Sequence, residues 1–311
     1  PFLVLEPAKA EYRGLACRVS GLRVFSAGGV PGDGELPFLL NPFAFPRGFP
    51  LQTHIDLLKQ AFVASFGLVP PAPYLLESAV VRVYEERGWD LALGTHPHGW
   101  EPLCFPILSD LLSAIDSVVE EAGYHHEITS NLRAALRTRI GNLCVGSKGA
   151  MLNTRYELPP EMLFEGPVVV ELERMGSDQE KALLMGLTLT RLYELRRATG
   201  AAAVPDLVHL LVIEEAHRLL RRVAERSSEE GNMAHQAVES FVNLLAEVRA
   251  YGQGVMIVEQ LPSKLASDVA KHAGLALVHR LTPREDRELV GDAMVLSEEQ
   301  KRALAVLRTG Q

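Results

Sequence analysis

Cysteine is scarce in this chain. Cys17, Cys104 and Cys144 are the only three in 311 residues, and they stand far apart. Such spacing gives neither a disulfide framework nor a zinc pattern and suits a reducing compartment, so a cytoplasmic location is expected. Positive charge is also in short supply, with 31 Lys and Arg against 39 Asp and Glu for a formal net charge of −8. A surface of that balance does not attract nucleic acid as a whole, and any DNA contact must be confined to a local basic patch such as a pore lining. No apolar run reaches the roughly 18 residues that a bilayer span requires. Internal repeats and low-complexity tracts are missing too.

What the chain does have is 47 % hydrophobic residues, enough for one large domain or two ordinary ones. Short Val/Ile/Leu runs recur: FLVLE (2–6), LRVF (22–25), PVVVELE (167–173), HLLVIEE (209–215), GVMIVEQ (254–260) and LALVHRL (275–281). None alternates cleanly, which marks strands covered on both faces and hence a mainly parallel sheet between helices. Helical stretches lie between the runs, giving the β-α rhythm of an α/β fold. One helix announces its start with a capping box, Ser177-Asp-Gln-Glu180, and its end with Arg196 and Arg197, which complement the helix dipole. The pattern divides the chain into a first piece of the α/β core (1–50), a helical insertion (51–140) and the remainder of the core (141–311). The insertion is broken by proline-rich turns at 69–74 and 95–103, and the polar stretch 226–236 reads as a mobile loop.

Two stretches bear on chemistry. GNLCVGSKG (141–149) has the glycine spacing of a phosphate-cradling P-loop, but its Ser147 and Lys148 stand in swapped order. A lysine displaced by one position cannot cap the β- and γ-phosphates and leave a hydroxyl for Mg²⁺. The stretch therefore reads as a glycine-rich turn leading towards a strand, with Lys148 either solvated or lining a pore. LLVIEEAH (210–217) ends an apolar run in two consecutive carboxylates, the Walker B pattern of phosphoryl-transfer ATPases. There the first carboxylate holds the Mg²⁺ shell and the second orients the attacking water. Consecutive residues at the carboxyl end of a strand point in different directions, so Glu214 and Glu215 could divide those tasks. The same letters also make an acceptable helix opening, with acids first and arginines last.

Other candidates are Gln260 as a γ-phosphate sensor at a strand tip and Arg249 as an arginine finger; each has a plain reading as a strand-end amide or a surface cation. Glu6 and Glu11 follow the first strand and could face a nucleotide or be ordinary strand-exit acids. His96, His98, His125 and His126 form pairs, but no carboxylate or thiol stands at ligand spacing, which favours a surface role over metal binding.

Taken in order, these stretches resemble the HerA branch of the HerA/FtsK ATPases, hexameric motors that move on double-stranded DNA. FLVLEPAKAEYR resembles the strand after the P-loop helix in that family, and NPFAFPRGFPLQTHIDLLKQAFVASFG with VYEERGWD resembles its helical insertion. GSKGAMLNT and LFEGPVVVELERMGSDQEKALLMGLTLTRLYE resemble the next strand-helix unit. LLVIEEAHRLL is similar to the family's Walker B, with Glu214 where aspartate is usual, and EVRAYGQGVMIVEQLPSKLASDVAKHAGLALVHRLTPREDRE is similar to the sensor and arginine-finger region.

The resemblance implies a RecA-like P-loop NTPase core that uses ATP and Mg²⁺, with Glu214 binding Mg²⁺ through its water shell. Glu215 would be the general base, Gln260 the sensor, Arg249 a finger acting in trans, and Arg280 a second basic group at the subunit boundary, ending a later strand. Glu6 would face the nucleotide from a strand neighbouring the P-loop strand. Implied partners are a homo-hexamer, double-stranded DNA in the ring channel, and a NurA-like nuclease or an antiphage effector; no membrane partner is implied. The P-loop, with its Gly-Lys-Ser or Gly-Lys-Thr, is expected upstream of Pro1, after an N-terminal barrel-like domain. The chain alone is therefore expected to be an inactive fragment. A ring-forming ATPase scaffold that assembles a partner effector is the alternative. A DEAH-box helicase is set aside for want of a second RecA-like unit.

Overall fold

The computed structural model describes residues 1–29, 32, 35–199, 206–223, 229–308 and 310–311. Its strands are β1 (Phe2–Glu6), β2 (Arg23–Ser26), β3 (Leu36–Pro37), β4 (Pro167–Glu171), β5 (His209–Glu214) and β6 (Gln253–Val258). They form one sheet in the order β3-β2-β4-β1-β5-β6, and every pairing is parallel. The α/β class expected for a P-loop NTPase core is the class observed. Branched side chains on both faces explain why these short runs do not alternate: Leu3, Leu5, Val168, Val170, Leu211 and Ile213 join the main core. Val4, Val24, Val169 and Val212 form a second cluster across the sheet.

The helices are α1 (Leu51–Phe66), α2 (Ala72–Glu86), α3 (Leu108–Glu121), α4 (His126–Leu143), α5 (Gly146–Leu152), α6 (Pro160–Phe164), α7 (Asp178–Ala198), α8 (Glu229–Glu247), α9 (Ser267–Lys271), α10 (Arg284–Ala293) and α11 (Glu298–Ala303). α7 is the central one, with residues 181 to 194 all buried. It packs on α1, which also meets α8. Between β3 and β4 the helices run from α1 to α6, past the expected bound at 140, and α2, α3 and α4 pack on one another. The segment Pro102–Glu121 is long and apolar enough by composition to cross a membrane, and half of it is buried here. Within it, Leu108, Leu111, Ile115 and Val119 of α3 are fully covered.

Several expectations need correction. The run 275–281 is not a strand; Leu275 and Leu277 are 78 % and 80 % exposed, and β6 closes that side of the sheet. An apolar run becomes a strand only where a neighbour pairs with it, and among the described residues this one has none. β1 cannot neighbour an additional strand, because β4 and β5 occupy its two edges. GNLCVGSKG does not lead into a strand. It ends α4, turns at Cys144 and Val145, and opens α5, where Lys148 pairs with Glu180 at 2.6 Å. That pairing leaves the capping box half made: the Ser177 hydroxyl accepts from the Glu180 N–H at 3.4 Å, while the Glu180 carboxylate turns to Lys148. In the polar stretch 226–236, residues 226–228 lie outside the described residues, and from Glu229 onwards the chain is helical.

Candidate active site at the sheet rim

All six strands point the same way, so their carboxyl ends share one rim. Register places Glu6 of β1 beside Glu171 of β4, and Leu5 beside Ile213, which sets Glu6 next to Glu214 of β5. Partners in a parallel register share a face, so Glu171, Glu6 and Glu214 form a row of three acids on successive strands, roughly 4.8 Å apart along the sheet. Sequence reasoning picked out two of the three and missed Glu171. The same signal, an apolar run closing on an acid, was present in PVVVE.

The segment after β1 supplies hydrogen-bond partners to this row. It holds a 3₁₀ turn, Tyr12–Cys17. The Glu6 carboxylate, fully buried, accepts the Glu11 N–H at 2.6 Å and the Tyr12 N–H at 3.3 Å. The Tyr12 hydroxyl donates to Glu214 Oε1 at 2.8 Å. Arg13 donates from Nε to Glu171 at 2.9 Å and also pairs with Glu35 at 3.1 Å. Glu35 in turn meets Arg174 at 2.8 Å. Burial, reinforced by the charges of Glu171 and Glu214, raises the Glu6 carboxyl from its ordinary 4.5 to about 7 despite its two backbone donors. Burial and the bond to Glu214 push the Tyr12 phenol up as well. Glu11 itself is exposed and pairs loosely with Lys9 at 3.6 Å.

Glu215 departs from the row. Its backbone is left-handed, at φ 46° and ψ 47°, a conformation that costs a residue with a Cβ about 1–2 kcal/mol. The turn is held by its N–H, which donates to Val258 O at 3.0 Å across the β5–β6 pair. The twist sends the Glu215 carboxylate away from Glu214, to an Arg218 fork at 2.9 and 2.6 Å. Arg218 also reaches Asp178 at the start of α7. Divergence of two consecutive acids at a strand end, expected from sequence, is what the backbone produces. The competing helix opening reduces to a single 3₁₀ turn, Ala216–Arg218.

The remaining candidates are dispersed. Gln260 follows β6 on the same rim and is exposed. Arg249 lies in the 3₁₀ turn Val248–Tyr251 before β6, at the opposite end of the sheet and at least about 17 Å of strand away from Glu214. Arg280 is exposed in the irregular segment after α9 and ends no strand. His96 Nε2 bonds Arg87 O at 2.8 Å and its ring packs on Trp89, a structural use; among the described residues no cluster of three metal-ligating side chains occurs. A cavity of about 900 Å³ opens beside the turn, lined by His217, Arg221, His235 and Lys264, and does not reach Glu214 or Glu215.

A solved structure of VirB4 from Thermoanaerobacter pseudethanolicus superposes on this chain with a TM-score of 0.71 at 20 % identity, covering 99 % of this chain and 77 % of that one. The chain shares its fold with VirB4. The bacterial conjugative coupling protein TrwB (ΔN70, unbound monoclinic form) aligns over 87 % of this chain and 63 % of its own, at 12 % identity and a TM-score of 0.35, too weak a likeness to add to that with VirB4. No family model and no curated protein sequence matches.

The rim fits magnesium in part. Mg²⁺ keeps most of its waters and takes one or two carboxylates beside substrate phosphates, and Tyr12 engages only one oxygen of Glu214. A phosphate cradle is not formed by the described residues. Lys148 is paired with Glu180, and buried Lys181 donates to Pro7 O at 2.7 Å.

Proposed function

We propose that this chain is the greater part of an ATP-hydrolysing motor domain of the HerA/FtsK type, acting as a homo-hexamer on double-stranded DNA with a nuclease or defence effector, in the cytoplasm. The observation that carries the reading is the pair Glu214–Glu215 at the carboxyl end of β5, diverging by a left-handed turn. The fold shared with VirB4 supports the α/β core that this reading needs. ATP bound with Mg²⁺ would supply the phosphoanhydride to be cleaved. In this chain Glu214, steadied by Tyr12, would orient a water of the magnesium shell. Glu215 would leave the Arg218 fork to take a proton from the attacking water, and Gln260 would sense the γ-phosphate from the same rim. Arg249, at the far end of β6, suits a neighbouring subunit's nucleotide rather than its own. Arg280 is offered as a second basic group at that boundary.

Two bare surfaces support a P-loop unit contributed from upstream of Pro1. Among the described residues β6 pairs on one edge only. On the face away from α7 and α8, Met256 is 46 % exposed beside half-buried Leu210 and Val258. The β4-to-β5 and β5-to-β6 connections run one way along the sheet and put α7 and α8 on one face. The β1-to-β2 connection runs the other way and packs Tyr12 and Leu22 on the opposite face. Right-handed crossovers require that split. A strand laid on the free edge of β6 and leading through a helix into β1 would run the second way, so its helix would cover the bare face.

The test is Glu215→Gln in the full-length protein. Duplex-stimulated ATP hydrolysis should fall by roughly 10²–10⁴-fold while nucleotide binding persists. Hydrolysis at the wild-type rate would overturn the reading. Ring assembly that survives the change, without any stimulation of the wild type by DNA, would instead favour the scaffold.

A further inference from the structure

Glu259 immediately follows β6, and its side chain is only 5 % exposed. Four donors converge on its carboxylate. His217 Nδ1 lies 2.7 Å and the His217 backbone N–H 3.2 Å from Oε2, while Oε1 accepts the N–H groups of Gln260 at 2.8 Å and Leu261 at 3.1 Å. Two of these donors belong to the turn after β5 and two to the turn after β6. A carboxylate only accepts, so Nδ1 carries the ring proton.

We infer that Glu259 and His217 form a positioning pair that locks the turn bearing Glu215 to the turn bearing Gln260, an inference that rests on the motor reading above. The bonds of the pair run to the two turns and not to the carboxylate row, so its role is positioning rather than catalysis. Glu215 sits two residues before His217, in a backbone conformation that its own side chain disfavours. Something outside the turn must hold it there. The Glu215 N–H to Val258 O bond supplies one tie, and the buried Glu259 carboxylate supplies the other from the adjacent residue of the same strand end. The arrangement sets the distance between the group that would take a proton from water and the amide that would sense phosphate. If γ-phosphate shifts Gln260, the shared carboxylate carries that shift directly into the Glu215 turn.

The experiment is steady-state ATP hydrolysis by the full-length protein as wild type, Glu215→Gln, Glu259→Ala, Glu259→Gln, His217→Ala and His217→Asn, with thermal melts of each. Misplacing the Glu215 turn by an ångström should lower kcat of Glu259→Ala by roughly 100-fold. KM should stay within about twofold, because ground-state binding is untouched. Glu259→Gln keeps one acceptor oxygen and His217→Asn keeps a side-chain donor, so both should recover part of kcat; His217→Ala should match Glu259→Ala. If Glu259→Ala fails to fold, the His217→Ala and His217→Asn comparison decides. Wild-type kcat in folded Glu259→Ala, or a loss confined to KM, overturns the positioning role while leaving the motor reading intact. A wild type that hydrolyses no ATP, or that Glu215→Gln matches, overturns the motor reading and this inference with it.

Discussion

Glu6→Gln should turn a pH-dependent liability into a pH-independent contact. The Glu6 carboxyl is fully buried beside Glu171 and Glu214, and burial lifts it from 4.5 to about 7. Below 4.5 both the folded and the unfolded chain hold this proton, and the site costs nothing. Between 4.5 and about 7 the unfolded chain releases it and the folded chain does not, so stability falls as pH rises. Above about 7 the full cost is present. The rise from 4.5 to about 7 corresponds to about 3 kcal/mol. Glutamine removes that term, but its single oxygen can serve only one of the two N–H donors now shared by Oε1 and Oε2, a loss of about 1 kcal/mol. The variant should therefore be less stable than wild type by about 1 kcal/mol near pH 4.5 and more stable by about 2 kcal/mol at pH 8. Urea unfolding of both proteins across that range should give free-energy curves that cross. Parallel curves would refute the assignment, because every other titrating group is common to the two proteins.

Inside the molecule, Glu194→Ala removes the partner of His54, 2.6 Å away with both side chains buried, and strips Arg191 of one carboxylate. It should destabilise by about 1–3 kcal/mol in chemical denaturation, since a buried His54 ring nitrogen loses its hydrogen-bond partner while Arg191 keeps Glu157 at 2.9 Å. Gly149→Ala puts a methyl 2.2 Å from the Cys144 carbonyl oxygen, a backbone atom that must move. A loss of about 1–3 kcal/mol should appear as a lower denaturation midpoint, with α5 exchanging its amide hydrogens faster while β5 and β6 keep their protection.

Five of the six apolar runs became strands because each contributes branched side chains to a two-faced core, and that property is written locally in the letters. The sixth, 275–281, carries similar letters with no neighbour to pair with, and pairing is not a local property. The same limit explains the rim. FLVLE, PVVVE and HLLVIE each announce an acid at a strand end, but only the strand order β4-β1-β5 makes those acids adjacent, and order was not legible. Divergence of Glu215 from Glu214 was expected from strand geometry, but the left-handed turn that produces it was not legible. The Arg218 fork that receives it, the Tyr12 hydroxyl on Glu214 and the Glu259 carboxylate behind His217 are long-range partners, with no spacing rule to reveal them.

The strand 253–258 reads Gln-Gly-Val-Met-Ile-Val, six residues without a charge or a proline, and among the described residues one side of its backbone ladder is unpaired. Such a segment is a template for its own twin in another molecule. A polypeptide limited to these 311 residues would thus be drawn into stacking, strand against strand, as its concentration rises. Its solubility would report how well that flank is shielded long before any turnover could be measured.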